Sequence, residues 1–388
     1  MSLKIIDPAQ GPLKGIRVIE FCQVAAGPFC GLLLADMGAD VIKVEPPAGD
    51  SMRAWPPHTD GYGENFAALN RNKRSVVLDL KTDRDRDHAL ALIASAQVVI
   101  ENNRPGVMDR LGLGYAQVSK NRKDLVYCSI SAFGQSGPRS ADGGFDVSVQ
   151  AASGIMSITG EREGPPLKAG VPVSDMATGV YAAYAVAALL RRVATGGPGG
   201  YVDMTMLGAS LGFAAFQTSE YFGNRKDPVR HGSAHPRNAP YQGFKASDGH
   251  FVVAAGNDKL WQSVCAVMKR PDLAADGRFT TTALRAKNQI ELARLLQAEF
   301  EKRTVSEWAA DFRAEGVPSE PVNSISQALF SDQVQHANWV QPLDLPNGKK
   351  TETVVAPIIL DGQSLGVGRR PPGLGEHNQD VLIQPKKA

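Results

Sequence analysis

The chain has 388 residues, of which 43% are hydrophobic and 21% charged, and its formal net charge is +2. These values are typical of a soluble protein with one large or two smaller domains, and they give no reason to expect a nucleic acid or an anionic membrane as partner. The four cysteines lack the spacing of a zinc site or a redox motif. We therefore predict reduced thiols, no metal and a cytoplasmic location, with neither a signal peptide nor an apolar run of the ~20 residues that cross a bilayer.

The first part of the chain alternates short apolar runs with helical segments. A strand over 16–21, a helix over 25–36 and a strand over 41–45 form the repeating unit of a parallel sheet. The loop after the first strand, CQVAAGP, lacks the G-x-G-x-x-G pattern of dinucleotide sites. This argues against a nicotinamide-dependent oxidoreductase. Further strands are predicted before Leu80 and over 98–102 and 125–131, with a helix over 82–96.

The second part changes character near Tyr221. A strand YVDMTML and a helical run precede that residue, and a polar linker and a hairpin around Ser-Asp-Gly follow it. Helices are predicted over 259–268, 281–303 and 305–315, and strands return after Val322. We therefore predict a large α/β domain beginning with residues 1–221, a smaller α+β domain over 222–321, and a last segment over 322–388.

One acidic residue, Asp175, lies at the start of the longest apolar helix that the sequence predicts. The apolar run ends at Leu190, just before Arg191 and Arg192, a basic pair that suits the carboxyl end of a helix. The unpaired N–H groups of the first turn favour an ionised carboxylate, which is a usable nucleophile. Most aspartates at helix starts serve only as caps, so position alone leaves both roles open.

Polar and basic residues flank two of the predicted strands. Asn102 and Asn103 follow one strand directly, and Arg110 lies shortly beyond them. Ligands of open parallel sheets bind beyond the carboxyl ends of strands, so these residues are candidates for an anion site. Lys73 and Arg74 precede another strand, where a solvated turn is the simpler explanation.

Seven sequence blocks carry a resemblance to a known family. They are GPLKGIRVIEF, AAGPFCGLLLADMGADVIKVEPPAGD, NRNKRSVVLDLK, VVIENNRPGVMDRLGLGY, VSDMATG, APYQGFKASDGHFVVAAGN and GLGEHN. In this order they resemble the class III CoA-transferases, which include formyl-CoA transferase and the carnitine CoA-transferases. The resemblance implies a Rossmann-like parallel-sheet domain built from both chain ends, a smaller inserted α+β domain and an interlocked homodimer.

The same resemblance implies a mechanism and a set of site residues. Asp175 would attack an acyl-CoA thioester to give an anhydride and then an enzyme–CoA thioester, and a carboxylic acid would reverse the sequence. CoA and acyl-CoA are then substrates, and no tightly bound cofactor is expected. The residues implied to hold the CoA nucleotide are Lys73, Arg74, Asn102, Asn103 and Arg110, and those implied to border the substrate are Gln23, Ala25, Trp55 and Asp146.

The sequence departs from formyl-CoA transferase at two points. That enzyme has glutamine where this chain has Ala25, and its glycine-rich flap has no counterpart in GSAHPRNAPYQ. The stretch HPRNAPYQGF resembles the subgroup of the family that uses succinyl-CoA or other larger acyl donors, which implies succinyl-CoA or another dicarboxyl-CoA as donor. Asp146 is expected either to orient the site or to cap its own helix.

Two alternatives stay open at this point. The first is a racemase of 2-methylacyl-CoA, which needs a histidine opposite the aspartate to return the proton. This chain has Phe145 at the matching position, and phenylalanine carries no proton. The second alternative is a noncatalytic CoA-binding relative, in which the nucleophile position would have lost its acid.

Overall fold

The computed structural model describes residues 2–382, which form two compact units. Of the described residues, the first unit contains 2–155, 168–225 and 329–382, and the second contains 156–167 and 226–328. The boundaries at 221 and 322 stay predictions, and the short segment 156–167 joins the second unit. Its backbone is tied there because Gly232 donates a hydrogen bond to the Gly160 carbonyl at 3.0 Å.

The elements are numbered in chain order. The strands are β1 (Lys4–Ile6), β2 (Arg17–Phe21), β3 (Asp40–Glu45), β4 (His58–Thr59), β5 (Tyr62–Gly63), β6 (Lys73–Val77), β7 (Val98–Glu101), β8 (Val126–Ser131), β9 (Gly200–Thr205), β10 (Tyr241–Lys245), β11 (His250–Ala254), β12 (Ser319–Pro321), β13 (Val340–Asp344), β14 (Lys350–Val354), β15 (Ile359–Leu360) and β16 (Gln363–Leu365). The helices are α1 (Ala26–Asp36), α2 (Glu64–Asn70), α3 (Asp83–Ala94), α4 (Val107–Arg110), α5 (Tyr115–Val118), α6 (Asp146–Ala152), α7 (Ile155–Ile158), α8 (Val173–Ala194), α9 (Met206–Phe213), α10 (Ala215–Asn224), α11 (Asp258–Val267), α12 (Pro271–Ala275), α13 (Thr282–Lys287), α14 (Gln289–Phe300), α15 (Val305–Ala314), α16 (Ile325–Leu329), α17 (Asp332–His336) and α18 (Asn378–Leu382).

A parallel sheet of six strands in the order β6-β3-β2-β7-β8-β9 is the centre of the first unit. The four inner strands, β2, β3, β7 and β8, are short and mostly apolar runs that are buried on both faces, as parallel strands usually are, whereas the edge strand β9 is partly exposed. This confirms the predicted α/β class. The chain order reverses between β2 and β7, and ligands of such sheets bind at the carboxyl ends of the strands beside a reversal.

Helices α1 and α8 pack together on one face of this sheet. Gly179 of α8 lies against Ala26 of α1, where a Cβ atom would come within 2.9 Å of the Ala26 carbonyl oxygen. The close approach explains the glycine in an otherwise apolar helix. By length and composition alone α8 could cross a membrane, a test that core helices of soluble proteins also pass, and here it packs on α1, β8 and β9.

The second unit has its own sheet and core. Strands β10 and β11 form the predicted hairpin, and β12 adds to its edge. Phe251 and Phe300 meet in the core with their ring centres 5.1 Å apart, and Trp261 is fully buried nearby. The helix predicted over 281–303 is two helices, α13 and α14, because Asn288 between them leaves the helical conformation (φ −101°, ψ 25°).

Candidate active site

The site lies in the first unit, at the carboxyl ends of the central strands. The loop after β2 contributes Gln23 and Ala25, the loop after β7 contributes Asn102 and Asn103, and the first turn of α8 contributes Asp175. These residues line a common cavity of about 240 Å³. The structure therefore brings together five of the residues that the sequence singled out.

A second cavity of about 550 Å³ also opens onto Asp175. Its walls include Ala25, Trp55 and Asp146, which the sequence placed at the substrate pocket, together with Met52, Leu69 and Met176. The volume is in the usual range for small-molecule sites. Asp175, Ala25, Val24 and Phe145 line both cavities, so the carboxylate of Asp175 lies where they meet.

Asp146 fixes the start of the helix that carries Asp175. Its Oδ1 atom accepts hydrogen bonds from the backbone nitrogens of Ser174, at 2.9 Å, and Asp175, at 3.3 Å. Its Oδ2 atom accepts a bond from Gln150 Nε2 at 2.6 Å. Asp146 therefore caps α8 and not its own helix α6, whose N-cap is Phe145. Gln150 gave no signal in the sequence.

The acidity of Asp175 differs from the sequence expectation. Burial, and then the neighbouring charge of Asp146, raise the pKa of Asp175 from 3.8 to about 7. The first-turn N–H groups that were expected to favour the ionised form of Asp175 instead bond to Asp146. Within residues 2–382 the Asp175 carboxylate has no hydrogen-bond or ion-pair partner. A desolvated, unpaired acid in a cavity is typical of a functional site.

The loop after β2 is held in a strained conformation. Val24 has a φ of 65°, which a β-branched residue rarely adopts. Its N–H donates to both carboxylate oxygens of Asp50, each at 3.2 Å. The carboxamide of Asn102 accepts from Gln23 N at 3.0 Å and donates to Gln23 O at 2.8 Å. Asp50 and Asn102 thus fix the wall that faces Asp175, and the role of Asp50 was not foreseen.

Lys73 belongs to a buried charge network beneath this loop. Its ammonium lies 2.8 Å from Glu20 Oε2 and donates to the carbonyl of Pro28 at 2.7 Å and to Asn70 Oδ1 at 3.1 Å. The Glu20 carboxylate also pairs with Lys43 at 3.1 Å. Lys73 is fully buried, so this placement does not agree with a contact to the CoA nucleotide.

Arg74 lies near the amino ends of the strands, and Asp175 lies near their carboxyl ends. It is in the first half of β6, and it pairs there with Asp40 at the start of β3, with Nε 2.9 Å from Oδ1. In a parallel sheet all strands begin at the same side. A basic cluster at the amino end of a strand therefore lies away from a site at the carboxyl ends. This placement also does not agree with the predicted nucleotide contact.

Two further predicted residues lie on the surface. Arg110 ends the short helix α4, is exposed, and forms no hydrogen bond or ion pair through its guanidinium within residues 2–382. Trp55 is 43% exposed and lines the larger cavity. Their roles toward CoA and the substrate stay predictions.

Phe145 lines both cavities beside Asp175 and is 76% exposed. At this position the chain offers Asp175 no second proton-transfer group, which argues against the racemase alternative. Among residues 2–382, no cluster of three or more histidine, cysteine or acidic residues could hold a metal ion.

Comparison with known proteins identifies the family of this chain. A sequence model of CoA-transferase family III matches residues 13–378. A succinate–glutarate CoA-transferase of Agrobacterium fabrum is 39% identical, covering 96% of this chain and 95% of that protein. A succinyl-CoA:mesaconate CoA-transferase of Haloarcula hispanica is 37% identical, covering 96% of each. The crystal structure of a CaiB/BaiF family protein from Brucella suis matches with a TM-score of 0.85 at 36% identity, covering 96% of this chain and 98% of that one.

The chain therefore belongs to CoA-transferase family III. It is a class III CoA-transferase, an enzyme that takes CoA thioesters as substrates.

Proposed function

We propose that this enzyme moves CoA from succinyl-CoA, or the CoA ester of another dicarboxylic acid, to a carboxylic acid acceptor, with Asp175 as the nucleophile. The observation that carries the proposal is the position of Asp175, an unpaired and largely buried carboxylate where two cavities meet. The donor class is supported by the relatives, whose names include succinate and succinyl-CoA.

The chemistry conserves the activation of the thioester. An oxygen of the Asp175 carboxylate attacks the thioester carbonyl, the C–S bond breaks, and the CoA thiolate leaves behind a mixed anhydride. The thiolate then attacks the Asp175 carbonyl, so that the donor acid leaves and an aspartyl–CoA thioester forms. The acceptor carboxylate attacks this thioester to give a new anhydride, and the returning thiolate releases acyl-CoA and free Asp175. No group is oxidised or reduced.

The two cavities divide the substrate between them in this proposal. The larger cavity has mostly apolar walls and receives the acid, while the smaller one, beside Gln23, Asn102 and Asn103, receives the thiol end of CoA. Both intermediates react with water, so a partly desolvated carboxylate is an advantage. The raised pKa of Asp175 has the same origin, because burial disfavours its charge.

The test is transfer from succinyl-CoA to a panel of acids, followed by trapping. Borohydride or hydroxylamine should label residue 175 only after exposure to the donor. Asp175→Asn should lose about 10³-fold or more in kcat, because an amide cannot form the anhydride and Asp146, the other carboxylate of the site, is bonded to the start of α8 and to Gln150. Asp87→Asn, an exposed aspartate on α3, is the matched control. Full exchange by Asp175→Asn would refute the proposal.

We also propose that the enzyme is a homodimer. Helix α10 has no buried residue although it carries three aromatic side chains, and Phe216 and Phe222 are 76% and 66% exposed. Tyr184 of α8 and Phe213 of α9 are also exposed. Large apolar patches on soluble proteins usually mark interfaces. Light scattering should give twice the chain mass, and Phe216→Asp with Phe222→Asp should lower it.

The proposed location is the cytoplasm. All four cysteines are free and buried, which suits a reducing compartment. Fractionation of cells that carry a tagged enzyme would test the proposal.

A further inference from the structure

The larger cavity has one basic side chain in its wall. Its charged lining residues are Asp146, Asp175 and Lys168, and the remaining walls are mostly apolar. Asp146 is bonded to the start of α8 and to Gln150, and Asp175 is the nucleophile. Lys168 has no part in the chemistry proposed above.

The ammonium of Lys168 is available for a ligand. Its hydrogen bond goes to the carbonyl of the adjacent Ala169, at 3.2 Å, and no carboxylate of residues 2–382 lies within ion-pair distance. Lys168 does not offset the charge of Asp175 either, because the pKa of Asp175 remains raised by burial and by Asp146. A lysine at a cavity wall without an acidic partner suits an anionic group of the substrate.

The segment that carries Lys168 is fixed relative to the nucleophile. Gln150 accepts a hydrogen bond from Ala169 N at 2.9 Å through its Oε1 atom, and it donates to Asp146 through Nε2 at 2.6 Å. Asp146 in turn holds the first turn of α8. One continuous chain of hydrogen bonds therefore joins the backbone beside Lys168 to the backbone of Asp175. Such a connection holds a binding group at a set distance from a reacting group.

We propose that Lys168 binds the second carboxylate of a dicarboxylic substrate, the one that does not react with Asp175, and so selects dicarboxylic over monocarboxylic acids. This inference rests on the proposed CoA transfer through Asp175. The apolar walls accommodate the hydrocarbon part of the acid, and the ammonium pairs with its far charge. Lys168 is exposed, so water partly screens its attraction for the far charge.

The test compares two acceptors that differ only in the far carboxylate, glutarate and its monomethyl ester, with succinyl-CoA as donor. The variants are Lys168→Met and Lys168→Arg, and the control is Lys120→Met, an exposed lysine outside both cavities. The reaction proceeds through an enzyme–CoA intermediate, so kcat/KM for the acceptor reports the second half alone. Where turnover of the ester is too slow, its inhibition constant gives the same comparison.

Lys168→Met should lower kcat/KM for glutarate by about 5-fold, since an ion pair at an exposed lysine is screened by water. The value for the monomethyl ester should change little, and Lys168→Arg should restore much of the glutarate rate. Equal losses for both acids, or no loss for glutarate, would overturn the assignment. A wild-type enzyme that makes no CoA ester from any acid would instead refute the underlying CoA transfer.

Discussion

The Oδ1 atom of Asp146 lies 3.3 Å from the backbone nitrogen of Asp175 and accepts its hydrogen bond. The same carboxylate raises the pKa of Asp175 by repulsion, in addition to the larger effect of burial. One residue therefore both positions the proposed nucleophile and makes it a weaker acid.

Asp146→Asn should move the acid limb of the pH profile to lower pH. In the wild type, kcat/KM for succinyl-CoA should fall as pH drops below about 7, because protonated Asp175 cannot attack. Removing a like charge favours the ionised form, so the midpoint should move to lower pH, while burial keeps it above 3.8. An unchanged or raised midpoint would contradict this account, and Asp87→Asn serves as control.

Asp175→Asn should stabilise the protein at high pH. Since the folded pKa of Asp175 is raised, the folded state binds more protons than the unfolded state between pH 3.8 and about 7, and stability falls as pH rises through that window. The amide carries no charge and avoids this cost. The gain should be about 2 to 4 kcal/mol above pH 7 and should shrink toward pH 4, as thermal unfolding at several pH values would show. A gain that does not depend on pH would point to another cause.

Lys73→Met should destabilise the fold without a selective effect on CoA binding. The substitution leaves the buried Glu20 carboxylate with one of its two lysines, and breaking a buried ion pair costs about 3 kcal/mol. Thermal unfolding should show the loss. At a temperature where the variant is folded, its KM for succinyl-CoA should match the wild type. A large rise in KM with unchanged stability would instead support a contact between Lys73 and the CoA nucleotide.

Arg110→Gln should weaken CoA binding and leave the stability of the fold nearly unchanged. Arg110 is exposed and unpaired within residues 2–382, so stability should change by no more than about 0.5 kcal/mol. If its guanidinium pairs with a phosphate of CoA, KM for the donor should rise by about 10-fold with kcat nearly unchanged. Arg110→Lys should recover part of the loss. If Arg110→Gln kept the wild-type KM for the donor, Arg110 would not bind a phosphate of CoA.

Much of the fold followed from local patterns. The apolar runs of β2, β3, β7 and β8 are each short and bounded by polar residues, and this spacing is enough to predict a parallel sheet. Asn102 became a candidate because it follows a strand, whereas Gln23 came from the family resemblance alone. The resemblance to a family added the chemical role of Asp175, which position alone left open.

The misplaced residues show what local patterns omit. Lys73 and Arg74 form a basic cluster, but they begin a strand instead of following one, and only the direction of the strand shows that they lie away from the site. The cap of α8 comes from Asp146, 28 residues before Ser174, and no short pattern marks it. The raised pKa of Asp175 follows from burial and then from the nearby charge of Asp146. These two effects outweigh the stabilisation that the start of a helix was expected to give the ionised form.

The Asp175 carboxylate lies where a mostly apolar cavity meets a smaller and more polar one, and this arrangement bears on inhibitor design. Many metabolic enzymes handle CoA, so a compound that mimics its thiol arm would bind widely. A compact diacid that fills only the larger cavity would compete with the organic acid and not with CoA. Selective compounds for this enzyme should therefore be sought among small diacids.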